Sequence, residues 1–262
     1  LWVAKDADTT VYLFGTIHLL DSRYRWFEGP VKQAFDGAGE LVVETVSPPP
    51  AEAQALVAKL ALDPSGTPLE RRLPPRLARK YSRALVTVGV GPQTFDHFEP
   101  WFAGVTLSVL QYQKMGMEAS SGVDLALIGA AEKAHKPVHP LEGFEEQLRL
   151  FSALSPEQQR RFLSLAVSDL KKAPKMIAKL QGAWARGDED MLARLMNKGT
   201  RKMPELAKRL LDDRNARFAD WIKARMEQPG VVFVAVGAGH LGGRQSVQAM
   251  LAERGIATTR LR

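Results

Sequence analysis

The chain contains no cysteine among its 262 residues. This absence excludes disulfide bonds, thiolate metal ligands and a cysteine nucleophile. It also has no run of roughly eighteen apolar residues, so the sequence predicts no transmembrane segment. The H-E-x-x-H, G-x-S-x-G and phosphate-loop signatures are missing as well. Any chemistry must therefore come from a less familiar arrangement of side chains.

The charge is basic but not concentrated. Lysine and arginine number 36 against 29 acidic residues, which gives a net charge of +7. The excess lies in helical stretches with few interleaved aromatic residues, so we expect solvated helix faces and no nucleic-acid partner. The chain begins at Leu1 and not at Met. A processed or truncated amino terminus is therefore expected, and a removed signal peptide is one explanation.

Apolar runs at both ends of the chain predict a sheet. Residues 11–14, 41–44, 231–236 and 256–261 have strand length, whereas residues 51–228 show mostly helical spacing of apolar residues. One strand near 136–141 interrupts this region, and its two prolines suit a sheet edge. We therefore predict a single α/β domain over residues 1–262. Its mixed central sheet comes from the two terminal segments, with a long, mostly helical insertion between them.

Two similar motifs each place a histidine just after a predicted strand. Gly15-Thr16-Ile17-His18 follows the first apolar run, and Gly237-Ala238-Gly239-His240 follows residues 231–236. In open α/β sheets, ligands bind beyond the carboxyl ends of strands, so we expect one shared site. The second motif extends to G-x-G-x-x-G, but too little chain follows for a dinucleotide fold. Because His240 lies in a glycine-rich turn, we expect its ring to contribute little to the core.

Two carboxylates occupy equivalent positions. Glu44 and Glu142 each follow a predicted strand, as the two histidines do. Two imidazoles and two carboxylates suit a divalent transition metal with open positions, and a spare carboxylate could act as a general base. The alternative for Glu142 is that it simply begins the next helix.

One arginine stands against local helix preference. Arg214 follows Asp212 and Asp213 at the predicted start of an amphipathic helix. A cation at a helix amino terminus opposes the macrodipole. Arg214 therefore either serves a site, by binding a carboxylate or stabilising charge, or forms a local pair with Asp213.

Taken together, these motifs resemble the TraB/GumN family, which includes the Tiki metalloproteases. They occur in the family's order along nearly the whole chain. The matching pieces are residues 13–19, 40–44, Gly122-Val123-Asp124, Leu141-Glu142, Asp213-Arg214-Asn215 with Trp221, and residues 236–242.

The resemblance implies a fold similar to the erythromycin-esterase and ChaN-like group. It also implies manganese- or cobalt-dependent peptide cleavage, with His18, Glu44 and His240 at the metal. Glu142 and Arg214 match further motif positions. Bacterial GumN-like members commonly look exported, which implies an extracytoplasmic location, and the ChaN-like relatives suggest haem binding as another possibility.

We therefore expect a metal-dependent hydrolase acting on a peptide, with Mn, Co or Zn as its cofactor. His18, Glu44 and His240 would hold the metal. Glu44, Glu142 and Arg214 would be catalytic, and Arg214, Asn215 and Gly239 would bind substrate. Two alternatives stay open: a binding protein that sequesters a peptide or haem-like ligand, and an esterase-like hydrolase of a small molecule. The sequence does not define the oligomeric state.

Overall fold

The computed structural model of the chain describes residues 1–18, 20, 21, 23–115, 117, 122–200 and 203–261. The chain forms two compact units. The first contains Leu1–Val46, Glu118–Glu142 and Ala178–Arg262, and the second contains Ser47–Met117 and Gly143–Ile177. Compactness alone does not show that a unit folds independently, so the single-domain expectation stays a prediction.

The first unit is built on one mixed sheet, to which the described residues contribute six strands. They are β1 (Trp2–Lys5), β2 (Thr9–Thr16), β3 (Glu40–Val43), β4 (Val138–Pro140), β5 (Gly230–Gly237) and β6 (Thr258–Arg260). Their order is β4-β3-β5-β2-β1-β6. Strands β2 to β5 pair in parallel, whereas β1 is antiparallel to β2 and β6. The predicted mixed sheet is confirmed, and the proline-bearing strand β4 lies at an edge as expected.

Helices occupy most of the chain between β3 and β5. The helices are α1 (Gly29–Gly37), α2 (Pro50–Ala61), α3 (Pro75–Val88), α4 (Pro100–Lys114), α5 (Val123–Lys133), α6 (Phe144–Ser152), α7 (Pro156–Asp169), α8 (Ala173–Ala185), α9 (Glu189–Thr200), α10 (Pro204–Ala207), α11 (Asp213–Arg225) and α12 (Val247–Glu253). A π-helical segment, Lys208–Asp212, joins α10 to α11. This arrangement agrees with the predicted helical insertion. No helix in the described part of the chain is long and apolar enough to cross a membrane.

Both faces of the sheet are covered. Successive strand residues point to opposite faces. On one face, Leu13 and Val234 pack with α11 and α12. On the other face, Leu41 and Phe233 pack with α1 and α5. The strands therefore read as continuous apolar runs, without alternation of polar and apolar residues.

The second unit is helical. Helices α3, α4 and α7 meet in a core that contains Tyr81, Leu107 and Leu163, all of them fully buried. Near this core, Arg72 pairs with Asp63 at 2.6 Å, with both side chains largely buried. None of the sequence-predicted site residues belongs to this unit.

The parallel strands of the first unit all end at one edge of the sheet. His18 lies just after β2, Glu44 directly after β3, Glu142 just after β4, and His240 in the 3₁₀ turn that follows β5. Because parallel strands present their carboxyl ends together, four residues distant in sequence reach the same edge.

Candidate functional site

A buried arginine organises the edge of the sheet where the parallel strands end. Arg214 Nη2 donates to Glu44 Oε2 at 2.6 Å and to Glu142 Oε1 at 2.5 Å. Arg214 Nε donates to Glu142 Oε2 at 3.1 Å. Glu44, Glu142, Arg214 and His240 are called the strand-end cluster below. Arg214 was expected to bind a substrate carboxylate or to stabilise charge, and the carboxylates it contacts here belong to the protein itself, so its role at a substrate stays a prediction.

All five N–H groups of Arg214 are engaged. Besides the three bonds to the carboxylates, Nη1 donates to Leu210 O at 3.0 Å and lies 3.1 Å from His240 Nε2. A guanidinium has five donors and no acceptor, so no donor is left for a substrate. Arg214 is therefore a fixed internal cation, and its predicted role in substrate binding would require it to break one of these bonds.

The backbone around Arg214 differs from the sequence prediction. The α-helix begins at Asp213 with Asp212 at the cap position, as expected, but Asp212 makes no side-chain cap bond and the backbone before it is already helical from Pro204 through the π-helical segment. Asp213 pairs with Lys208 and not with Arg214. Arg214 thus lies within a helical stretch, where the macrodipole argument does not apply. The Leu210 carbonyl that it bonds belongs to the π-helical segment, a feature that often marks functional sites.

The Glu142 side chain contacts Arg214, and Glu142 is not the capping residue of the next helix. It is 2% exposed, whereas the cap of α6 is Gly143. The Glu142 amide donates to the Glu44 backbone carbonyl at 2.9 Å, which holds the ends of β3 and β4 together. Arg217 Nη2 also reaches Glu142 Oε2 at 3.4 Å, and the Arg217 side chain is half-exposed. Sequence reasoning missed Arg217, because a helical arginine carries no local signal of its partner.

Glu44 is ionised by its surroundings. Burial raises the pKa of Glu44, but nearby His240, the Arg214 guanidinium and the Gly237 amide lower it more strongly, to about 2. Gly237 N donates to Glu44 Oε1 at 2.5 Å. A Cβ at Gly237 would come within 3.0 Å of that oxygen, so the glycine permits the close approach.

His240 is buried, and the expectation that its ring adds little to the core is wrong. It is 4% exposed, and its ring lies 5.2 Å from the Phe218 ring. Its Nδ1 lies 2.5 Å from Asn215 Oδ1, and Asn215 Nδ2 donates to Gln245 O at 2.5 Å. Since Asn215 offers an acceptor, His240 carries its proton on Nδ1 and leaves Nε2 with a lone pair. Burial lowers the pKa of His240 to about 4, so the ring is neutral near pH 7.

His18 differs from His240 in being exposed. Its side chain is 75% exposed, and Nδ1 lies 3.3 Å from Asp124 Oδ2. The hydrogen bond to Asp124 raises the pKa of His18, and Glu44 raises it further, so His18 lies close enough to the strand-end cluster to sense its charge. Sequence reasoning missed Asp124 as a site residue, although Gly122-Val123-Asp124 was among the matching motifs.

The structure also explains how Asp124 is placed. Val123 N donates to Ile17 O at 3.0 Å, which fastens the start of α5 to the chain just after β2. A Cβ at Gly122 would lie 2.8 Å from His18 O, so this approach requires glycine. His18 and Asp124 are therefore held as a pair by backbone packing. Gly239, by contrast, packs against Met196 and Leu211, and its role in substrate binding stays a prediction.

The expected metal would bind where the His240 and Glu44 side chains lie next to each other. His240 Nε2 and Glu44 Oε1 lie 3.3 Å apart. The imidazole is neutral and the carboxylate is ionised, which are the protonation states that metal ligands need. However, Arg214 Nη1 already faces the same His240 lone pair. Among the described residues, no group of three His, Cys, Asp or Glu side chains could hold a metal ion. In this arrangement the donor set does not fit a metal, and the metal site stays a prediction.

Comparisons with known proteins place this geometry in context. The family model for TraB/PrgY/gumN proteins matches residues 1–260. The chain is similar to the uncharacterized protein YbaP of Escherichia coli (strain K12), with 27% identity over 209 residues, 76% of this chain and 77% of YbaP. The uncharacterized YbaP of Shigella flexneri gives the same values. No solved structure matches.

Proposed function

The chain belongs to the TraB/PrgY/gumN family, and we propose that it is a hydrolase whose general base is His18. The observation that carries the proposal is the His18–Asp124 pair at 3.3 Å, exposed beside a buried cluster of fixed charges. A carboxylate on Nδ1 orients an imidazole and makes its Nε2 a better base. His18 is therefore suited to take a proton from water that attacks a carbonyl carbon.

The strand-end cluster would then position and polarise the attacking water. Arg214 holds Glu44 and Glu142 in fixed places without contacting substrate. Glu44 stays ionised. Its carboxylate can accept a hydrogen bond from one O–H group of the attacking water while His18 removes the proton of the second O–H group. Oxyanion charge on the substrate needs a cation with free donors. Arg217 meets that need better than Arg214, because it is half-exposed and makes long contacts of 3.4 Å with Glu142 Oε2 and Asp213 O.

A peptide is the proposed substrate class, and this part of the proposal comes from the resemblance to Tiki-like proteins. The same resemblance supports a metal-dependent form, in which His18, Glu44 and His240 would hold Mn, Co or Zn after Arg214 Nη1 had moved away from His240 Nε2. An extracytoplasmic location belongs to the same proposal.

The test compares His18→Ala with a matched control. His139 is also an exposed histidine paired with a carboxylate, at 3.6 Å from Glu40 Oε2, but it lies on edge strand β4. We expect His18→Ala to lower kcat/KM on a peptide mixture by about 10²–10⁴-fold, as for loss of a general base, and His139→Ala to leave it unchanged. Peptide products would be followed by mass spectrometry.

Each protein would be assayed after chelator treatment and again with added Mn²⁺, Co²⁺ or Zn²⁺. Turnover that survives chelation supports the metal-free form, and turnover restored only by a metal supports the metal-dependent form. Equal activity of the His18→Ala and His139→Ala variants would refute His18 as the base.

One observation favours a second candidate, a protein that binds a peptide without cleaving it. Arg214, Glu142 and His240 are largely occupied with one another, as expected for a rigid scaffold. Stoichiometric peptide binding with no product under all of these conditions would support that candidate.

A further inference from the structure

The first unit contains a pocket that the proposed hydrolytic mechanism does not use. Its volume is 730 Å³, within the range of about 300–1,000 Å³ that is typical of small-molecule sites. The pocket is lined by the start of β1, the end of β2, the segment 24–31, the end of α8, the start of α9, the 3₁₀ turn after β5 and the end of β6. No member of the strand-end cluster, and neither His18 nor Asp124, is among its described lining residues.

One wall of the pocket is aromatic. Phe14 and Trp26 stack, with ring centroids 5.7 Å apart and planes 16° apart. Trp184 meets both rings edge-on, at 6.0 Å from Phe14 and 6.1 Å from Trp26. Trp26, Trp184 and the nearby Tyr24 are only half-buried. Large aromatic side chains normally bury most of their surface, so these rings leave apolar area facing the pocket.

The aromatic wall is held in place before any ligand arrives. Trp184 Nε1 donates to Gly15 O at 2.7 Å, which fixes the indole against β2. Phe14 is buried in the sheet core and packs on Phe233, with centroids 5.9 Å apart. A preformed wall costs a ligand little ordering entropy.

The charged residues at the pocket leave a cation without an internal partner. Three arginines and two glutamates are among the described lining residues. Glu189 pairs with Arg260 at 3.6 Å and accepts from Trp2 Nε1 at 2.7 Å. Arg25 and Glu28 form an exposed pair at 3.5 Å. Arg186 is exposed, and no carboxylate of the described chain lies within ion-pair distance of it. The pocket therefore joins an apolar aromatic wall to an uncompensated positive charge.

We infer that this pocket binds an aromatic carboxylate, with the ring against Trp26 and Trp184 and the anion at Arg186. Aromatic rings pair favourably edge-to-face or offset, and arginine binds carboxylates through two parallel N–H groups. The inference does not rest on hydrolysis, because the pocket and the strand-end cluster have no residue in common. The carboxylate could belong to a free aromatic acid or to a peptide that ends in an aromatic residue.

The first experiment measures binding of 2-naphthylacetate and of its neutral amide to the intact chain by calorimetry. A ligand of this size is expected to bind with a Kd on the order of 1 mM. We expect the carboxylate to bind about tenfold more tightly than the amide, the contribution of a charge-assisted hydrogen bond. Acetyl-Gly-Gly-Trp with a free carboxylate is the third probe, and the tighter binder of the two acids identifies the source of the ligand.

Variants then assign the two parts of the pocket. Arg186→Gln should weaken binding of the acid about tenfold and leave binding of the amide unchanged. Arg194→Gln is the matched control, since Arg194 is exposed in the same unit but does not line the pocket. Trp184→Leu should weaken binding of both probes, and circular dichroism would check its fold. Failure of all three probes to bind at 10-fold above the expected Kd would overturn the inference, as would equal effects of Arg186→Gln and Arg194→Gln.

Discussion

Replacing Arg214 with leucine is the sharpest test of the strand-end cluster. The change removes the cation and its five hydrogen bonds but keeps an apolar side chain of moderate size. Glu44 and Glu142, 14% and 2% exposed, would then lose the cation that joins them, and Glu142 would keep its longer contact of 3.4 Å with the half-exposed Arg217. Leu210 O and His240 Nε2 would also lose their donor.

The expected cost is large for a single substitution. Removing one partner from a buried ion pair leaves an uncompensated buried charge, which typically costs about 3–5 kcal/mol. Arg214 is 8% exposed, so little solvent screening reduces this figure. A loss of about 4 kcal/mol is a large share of the stability of most domains, about 5–15 kcal/mol.

The cost should shrink on acidification. In the wild type, Glu44 has a folded pKa of about 2, below its ordinary value of 4.5. Its contribution to stability is therefore complete above pH 4.5 and is lost as the pH falls from 4.5 towards 2. In the variant, burial without Arg214 raises the pKa of Glu44, so its protonation relieves the repulsion. The free energies of unfolding of the two proteins should converge as the pH falls.

Urea denaturation followed by circular dichroism at pH 7.5 and pH 4.5 gives these free energies. Arg23→Leu is the control, because the Arg23 side chain is 86% exposed in its pair with Asp21 and loss of that pair should leave the midpoint unchanged. Arg214→Lys should fall between the two, since a lysine keeps the charge but not the two-pronged geometry. A urea midpoint for Arg214→Leu equal to the wild type at pH 7.5 would show that Arg214 does not hold the buried carboxylates.

Three further outcomes follow from the same contacts. Under the proposed mechanism His18 is a base whose pKa is raised above 6.5, so kcat/KM should rise with pH through that raised pKa and Asp124→Asn should shift the rise to lower pH; an unshifted profile would argue against the pair. Because the folded pKa of His240 is about 4, the wild type should lose stability as pH falls from 6.5 towards 4, and His240→Phe should lack this slope in urea titrations. Val234→Ala, at a fully buried strand position, should cost about 1–3 kcal/mol in thermal unfolding while activity per folded molecule stays constant.

Much of the fold could be predicted because its signals are local. Apolar runs of strand length predicted β2, β3 and β5. The residues of these strands are buried because both faces of the sheet are covered by helices. The two prolines near β4 predicted an edge, since proline cannot donate to a neighbouring strand. Glycines followed by a histidine marked the ends of β2 and β5. Each of these inferences uses a few adjacent residues and simple backbone rules.

The candidate site could be predicted only in part. Glu44, Glu142, Arg214 and His240 were expected near one sheet edge, and the structure brings them into contact. The sequence did not indicate that all five N–H groups of Arg214 would form hydrogen bonds with other groups of the protein itself. It also did not indicate the π-helical segment that precedes Arg214, so the helical backbone before Asp213 was not expected.

By itself, the sequence determined which residues stand at strand ends, because strand periodicity and turn residues act over a few positions. Only the tertiary structure decided which side chains meet and which are buried. Arg214 bonds Glu142 and Glu44 across 72 and 170 residues of chain. Such contacts depend on the parallel pairing of β2, β3, β4 and β5, which brings distant strand ends to one edge. Burial lowers the pKa of His240, whereas the neighbouring Arg214 and the Gly237 amide help to keep Glu44 ionised despite its burial. His18 is instead exposed beside Asp124, which suits the role of base proposed for it, and no local pattern of residues encodes that difference.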